Sequence, residues 1–444
     1  MLLRAALSAL LLSLMAIGGA RAADLSGGCC ADLEERVAEL EATTATKGNR
    51  KVTVIIYGQV DKAFLYENAS IGSFKGVAPK SQPPSQRGIV DNSNAPTIIG
   101  AMGEGKIDKN WKAGFKLEIE FDSREFGRPP GLTTFNQAPA TIRTATVWTE
   151  VPVGKLTLGH GSVASDGTGQ LSVANAQVAS KMLSLGPAGV IMLGFDLPFN
   201  DVRRDMARYD SPTILGFLTI SGSMINGDTA NPFTFLTPVA TTPFAQQKTA
   251  WDIAARAAYE FKGGGDVRVA AAISYRNEGG ALFITPLPED AVLQGSVSVM
   301  HVATGAFVNF GYGHVTGIGS SFLSPGLDLT MDMWQVQGGW EKNIFKIGTT
   351  TLFAEYGNIS FSGTPGSAAG TKALFINGNE NTNLWGLGAV QALDQLALDL
   401  YADYRHYDVG AINGCAASKP GCGPVALTPD LTGDVFMAGM RIKF

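Results

Sequence analysis

Residues Trp111 to Asp122, WKAGFKLEIEFD, separate into two lists when every second residue is taken. Trp111, Ala113, Phe115, Leu117, Ile119 and Phe121 form an apolar face with an aromatic near each end. Lys112, Gly114, Lys116, Glu118, Glu120 and Asp122 form a face bearing charges of both signs. Successive side chains of a pleated strand point to opposite sides, so strict alternation predicts a β-strand with oil on one side and water on the other. Roughly 9–11 residues suffice for a tilted strand to cross a bilayer. A strand of a soluble sandwich alternates in the same way, and the rest of the chain has to decide between the two.

Composition narrows the choice only in part. The chain has 444 residues, 16% of them charged, with 54 Gly and 21 Pro. A net charge of −5 carries no basic signature for nucleic acid. Beyond the N-terminus no run approaches the roughly 18 apolar residues of a membrane helix. The N-terminus predicts export: Arg4 precedes an apolar run from Ala5 to Ile17, and Ala20-Arg21-Ala22 supplies a cleavage pattern, so residues 1–22 are expected to be a signal peptide. Within 23–50, Cys30, Leu33, Val37 and Leu40 recur at spacings of three and four among acidic residues. That period predicts a short amphipathic helix over 30–44, which either pairs with copies from neighbouring subunits or remains a frayed leader.

From residue 51 to 444 the alternation returns again and again. Strands are expected near 52–66, 96–109, 111–123, 140–152, 154–161, 203–211, 213–225, 249–262, 265–276, 291–303, 305–316, 330–341, 346–360, 382–392, 396–407 and 432–444. They pair through short turns at Lys109-Asn110, Pro152-Val153, Pro212, Gly263-Gly264, Thr304, Asn343 and Asp394. Long segments rich in Gly, Pro, Ser and Asn join the pairs, among them 67–95, 162–202 and 226–248. Short turns at one end and long loops at the other predict an all-β, transmembrane antiparallel β-barrel of about 16 strands. A barrel of that size leaves an aqueous lumen.

The last strand ends in DVFMAGMRIKF, with Phe436, Ala438, Met440, Ile442 and the terminal Phe444 on one face. This ending resembles the C-terminal signature of bacterial porins. The segment from Cys29 through Phe64 resembles porins of alphaproteobacteria, and RTATVWTEVPVGKLTLGHGS at 143–162 resembles the porin hairpin that leads into the third loop. The resemblance implies a homotrimer in the outer membrane, surrounded by lipid, with that loop (about 162–202) folded into a water-filled lumen. It implies passive diffusion of small hydrophilic solutes and ions. A substrate-selective channel for sugars or carboxylates, or a non-conducting anchor, would share the architecture. The loop lacks the PEFGG-type sequence of enterobacterial porins, and His160 stands where a pore-wall Arg is common in the family.

Candidate pore-lining residues follow. Asp166, Asp196 and Asp201 in and after the long loop would face Lys116 and Arg143 on the wall, with Arg203, Arg204 and Arg208 where the next strand begins. Opposed charges across a narrow lumen focus a transverse field. Glu118 shares the wet face with Lys116. Strict alternation groups His160 with Leu156 and Leu158 on the lipid side; the porin resemblance and the flanking Gly159 and Gly161, which permit a bulge, favour an inward imidazole. Apolar anchors such as Val190 to Leu193 are expected to hold the loop inside. Cys415 and Cys422 are expected to form a disulfide in an oxidising compartment, and Cys29 and Cys30 could cross-link subunits. No nucleophile elbow, phosphate loop or HExxH sequence occurs, so neither enzyme activity, nor metal, nor cofactor is expected.

Overall fold

The structure, a computed structural model, describes residues 52–71, 85–121, 140–184, 199, 202–225, 250–277, 291–316, 328–364, 374–376, 380–410, 413–416, 425–426 and 431–444. The expected signal peptide, the 30–44 helix, Cys29, Cys30, Cys422, Asp196, Asp201 and the Val190–Leu193 anchors lie outside these residues. So does the side chain of Cys415.

The strands run in chain order. The first are β1 (Thr53–Ile71), β2 (Gln86–Asp91), β3 (Thr97–Lys106), β4 (Lys112–Phe121), β5 (Ala140–Val151) and β6 (Gly154–Ser162). Next come β7 (Arg203–Asp210), β8 (Leu218–Ile225), β9 (Ala250–Phe261), β10 (Val267–Asn277), β11 (Ala291–His301) and β12 (Ala306–Thr316). Then follow β13 (Asp328–Lys342), β14 (Thr350–Thr364), β15 (Leu374–Ile376), β16 (Glu380–Leu393) and β17 (Leu398–Val409). The chain finishes with β18 (Asn413–Ala416), β19 (Val425–Ala426) and β20 (Leu431–Lys443). Among these, β15, β18 and β19 form a small sheet of their own.

The other 17 strands form one antiparallel sheet that closes when β20 pairs with β1, Gln59 opposite Lys443 and Ile71 opposite Leu431. Both β2 and β3 lie along the same edge of β1: Lys62 to Glu67 face β2, and Thr53 to Gln59 face β3. They are one wall position interrupted at Asn92–Pro96, so the closed ring has sixteen places. Closure pairs the last wall strand with the first, so the sheet has no free edge strand, as hydrocarbon demands. The segment around β2 reads as loop in the sequence because QRGIVDNSNAP is rich in turn residues. Only the ladder with β1 makes it a strand.

Facing follows the period of two. On β4, Leu117 is 50% exposed and Ile119 and Phe121 are also exposed, while Glu118 is 6% exposed. Short turns gather at one end of the barrel, as at Pro152-Val153 and Ala303–Gly305. In the turn after β9, the Gly263 amide donates to Asp266 at 2.8 Å and holds that carboxyl below the usual carboxylate range, with Lys262 adding to the effect. Between β4 and β5 the register shifts: Glu118 faces Thr144, but Ile119 faces Ile142. Arg143 is the extra residue of this bulge.

Candidate functional site

After β6 the chain turns into the barrel and lies along its inner wall. Val163, Ala164, Ser165, Thr168, Ala176, Val178, Ala179, Ser180, Met182 and Leu183 are buried. A segment without strand partners leaves its backbone N–H and C=O groups to be satisfied otherwise. Here inward side chains of successive strands do it. Ser223 on β8 accepts from the Ala164 amide at 2.7 Å, and Asp252 on β9 from the Ser165 amide at 2.6 Å. On β11, Gln294 donates to the Ser165 carbonyl at 2.7 Å, Ser296 accepts from the Leu171 amide at 3.0 Å, and Ser298 accepts from the Val173 amide at 2.8 Å. Asn309 on β12 donates to Ser172 Oγ at 3.0 Å, Glu341 on β13 accepts from the Asn175 amide at 2.6 Å, and Gln335 accepts from the Leu183 amide at 2.7 Å.

Two ends fix the loop more firmly. At its base, Arg208 donates to the Ser162 and Val163 carbonyls at 3.1 and 3.2 Å, and Arg256 donates to those of Ala164 and Asp166 at 2.7 and 2.6 Å. Asp166 Oδ1 accepts from the Val202 amide at 3.1 Å, which brings the two stems of the loop together. At the far end Arg405 reaches the Ser184 carbonyl at 3.0 Å, and Ser180 donates to Glu355. The break between β2 and β3 contributes as well: Asn92 and Asn94 donate to the carbonyls of Val178 and Ala179, both at 2.7 Å. Gly311 and Gly313 leave room on β12, because a Cβ at Gly311 would stand 3.0 Å from the Gly169 carbonyl oxygen and 3.1 Å from Leu183 Cγ.

The inner wall of β1, β4 and β5 carries a different set. Tyr57 donates to Glu118 at 2.8 Å, Thr144 donates to the same carboxylate at 2.7 Å, and Lys116 Nζ lies 3.0 Å from it. Arg143 pairs with Glu120. The bulge makes this possible, since it brings consecutive Thr144 and Arg143 each to a carboxylate of β4. The side chains of Lys116 and Glu120 remain partly exposed to the lumen.

The sequence-predicted residues divide accordingly. Lys116, Glu118 and Arg143 stand together on one wall. Arg208 and Asp166 hold the base of the loop instead of opposing each other, and Arg208 also makes a two-pronged pair with Asp210. Alternation places Arg204 inward beside Met206 and Arg203 outward. His160 is outward too. Its ring Nδ1 lies 3.1 Å from Asp205 Oδ1, and Asp205 is 65% exposed at its side chain. Gly161 next to it points at inward Thr144, Thr146 and Met206. Gly159 takes φ +123, where a Cβ would collide with the Ala145 carbonyl, yet the twist does not re-aim the imidazole. Sequence reading overlooked the uncharged anchors; their signal was the alternation of Gln294, Ser296 and Ser298, and of Gln335 and Gln337. Among the described residues, no group of three or more His, Cys, Asp or Glu stands together as metal ligands.

Residues 6–411 match the model of a family described as Gram-negative porin. The chain belongs to the Gram-negative porin family. This porin is therefore an outer-membrane channel. No curated protein matches it in sequence. Among solved structures, it is similar to an anion-selective porin from Comamonas acidovorans, at 14% identity and TM-score 0.52, covering 88% of this chain and 100% of that one. It is also similar to in-vitro folded OmpT, an outer membrane protein of Vibrio cholerae, at 13% identity and TM-score 0.51, covering 89% and 98%. The trimer form of OmpT matches at 12% identity and TM-score 0.50, covering 88% and 99%. Likenesses at such identity extend to the fold, and the porin's own residues have to supply the rest.

Proposed function

We propose that solutes cross this porin between the inward loop and the wall of β1, β4 and β5. The observation that carries this reading is the set of wall strands to which the loop is attached. Its described part is tied to β7 through β14, to β17 and to the break between β2 and β3, whereas on the wall of β4 and β5 Lys116 pairs with Glu118 and Arg143 with Glu120. Of the loop's half-buried described residues, Asn175 and Gln177 are polar and uncharged, and Lys181 adds one positive charge. With Lys116 set against Glu118 and Arg143 against Glu120, the wall is close to charge-balanced. Such a passage admits small hydrophilic solutes of either sign with weak preference.

The porin resemblance and the OmpT trimer form support a homotrimer, for which we expect the 30–44 helices to gather on the periplasmic side. Deleting residues 24–47 should leave barrels that form but separate more readily in detergent; unchanged oligomer stability would remove the helix from the assembly. Single-channel conductance and reversal potential in planar bilayers test the passage itself. Lys116→Glu should keep the conductance within the wild-type range and move the reversal potential toward cations. An unchanged reversal potential would place the conducting path elsewhere.

A further inference from the structure

Three of the four histidines of this porin make the same contact. His160, His314 and His406 each stand directly opposite an aspartate on the next strand of the wall: Asp205, Asp332 and Asp434. The Nδ1 to Oδ1 distances are 3.1, 2.8 and 2.8 Å. All three pairs face outward, since their neighbours Gly161, Val315 and Tyr407 are buried on the inner side. All three lie toward the end of the barrel that carries the long loops.

Two of the pairs belong to a larger arrangement. Tyr312, two residues before His314, donates to Asp332 at 2.6 Å, and Tyr404, two residues before His406, donates to Asp434 at 2.5 Å. Between them, Tyr356 and Asn358 both donate to Asn383, at 3.1 and 2.9 Å. One layer nearer the barrel middle, the wall is aromatic from strand to strand. Tyr312 faces Trp334, Trp334 packs against Tyr356 with ring centroids 5.5 Å apart, and Tyr356 faces Trp385. Trp385 packs against Tyr404 and His406, with ring centroids 5.4 and 5.6 Å away, and Tyr404 faces Phe436.

An aromatic layer alone is the ordinary anchor of a barrel at a membrane interface. The polar layer above it goes further. Its clusters combine ring faces with carboxylate and amide oxygens and imidazole nitrogen, a set of donors and acceptors that matches hydroxyl groups. Among the described residues no Lys or Arg stands in them, which makes them poorly suited to a phosphate, since it recruits such cations. Each cluster is already ordered by its own hydrogen bonds, so binding would cost little further side-chain entropy.

We propose that the outward face of β12 to β20 holds outer-leaflet glycolipid through its sugar hydroxyls, at Tyr312–His314–Asp332 and at Tyr404–His406–Asp434. The third pair, His160–Asp205, is an internal control. It has the same histidine and aspartate, but its neighbours on the outer face are Leu158 and Ala207 instead of an aromatic row.

The test is retention of purified lipopolysaccharide by the full-length porin after reconstitution and detergent washing, assayed as bound sugar per barrel. Replacing both sites (His314→Leu, Asp332→Leu, His406→Leu, Asp434→Leu) should lower retention several-fold, with conductance unchanged. The control variant His160→Leu, Asp205→Leu should retain wild-type amounts. If the fourfold variant fails to assemble, Trp334→Leu with Trp385→Leu, which leaves the His–Asp contacts in place, should show the same loss. Wild-type retention in either site variant, or an equal loss in the control, would overturn the proposal. So would equal retention of phosphatidylglycerol from vesicles without glycolipid, since that would indicate a site for anionic head groups in general.

Discussion

Arg405 Nε lies 2.6 Å from Glu355 Oε1, and the two side chains are 3% and 1% exposed. They sit on β17 and β14, separated by β16, where inward Gly386 gives the guanidinium room to pass. Both also engage the inward loop at Ser180, so one ion pair joins the wall across a strand and clamps the loop to it.

Removing one partner of this pair leaves a buried charge without its counterpart, which costs about 3–5 kcal/mol in other proteins. Arg405→Met should therefore lower the urea midpoint of the folded barrel strongly and increase current noise as the loop end loosens. Arg405→Met with Glu355→Met should recover most of the midpoint but not the quiet current. Equal midpoints for wild type and Arg405→Met would show that the pair does not bear the loop.

The facing of β4 can be tested with charge. Leu117→Lys turns an ammonium toward lipid, at a cost of up to about 2–4 kcal/mol near the midplane. Assembly yield in vesicles should fall. Glu118→Lys, a residue on the wet face, should also assemble poorly, because the structure surrounds that carboxylate with Tyr57, Thr144 and Lys116. Lys116→Glu, partly exposed in the lumen, should assemble at wild-type yield. Wild-type yield for Leu117→Lys would mean that the strand register is wrong.

Gly311 is held to glycine by the loop that lies over it. Gly311→Val would push against the Gly169 carbonyl and Leu183, where overpacking costs about 1–3 kcal/mol. The expected result is a lower unfolding midpoint together with altered conductance, because the displaced loop moves into the lumen. Gly222→Val, on the outward face of β8, whose Cβ would meet only a carbonyl oxygen at 3.5 Å, is the control and should change the conductance little.

His160 separates two readings of one position. With the imidazole outward beside Asp205, His160→Gln should give the same dependence of reversal potential on pH as wild type. A flattened curve in the near-neutral range, where imidazoles change charge, would return His160 to the conducting path.

The porin's sequence by itself determined sixteen wall strands and, through parity, their facing. Alternation along WKAGFKLEIEFD is a local property: each residue's face depends only on parity, and lipid enforces that parity at a high cost for errors. The turn residues and long Gly- and Pro-rich segments are local signals too, and with the expected signal peptide they pointed to the outer membrane. Parity also groups His160 with Leu156 and Leu158, and the structure follows it over the family analogy. What only the tertiary structure decided are relationships between distant residues. Gln86–Asp91 became a strand because β1 lay beside it. Arg143 reached Glu120 through a bulge that no alternation foretells. The serines and glutamines of β11 and β13 became anchors because a loop more than a hundred residues away lies across them, and its unpaired backbone groups, shut off from water, had to be satisfied there.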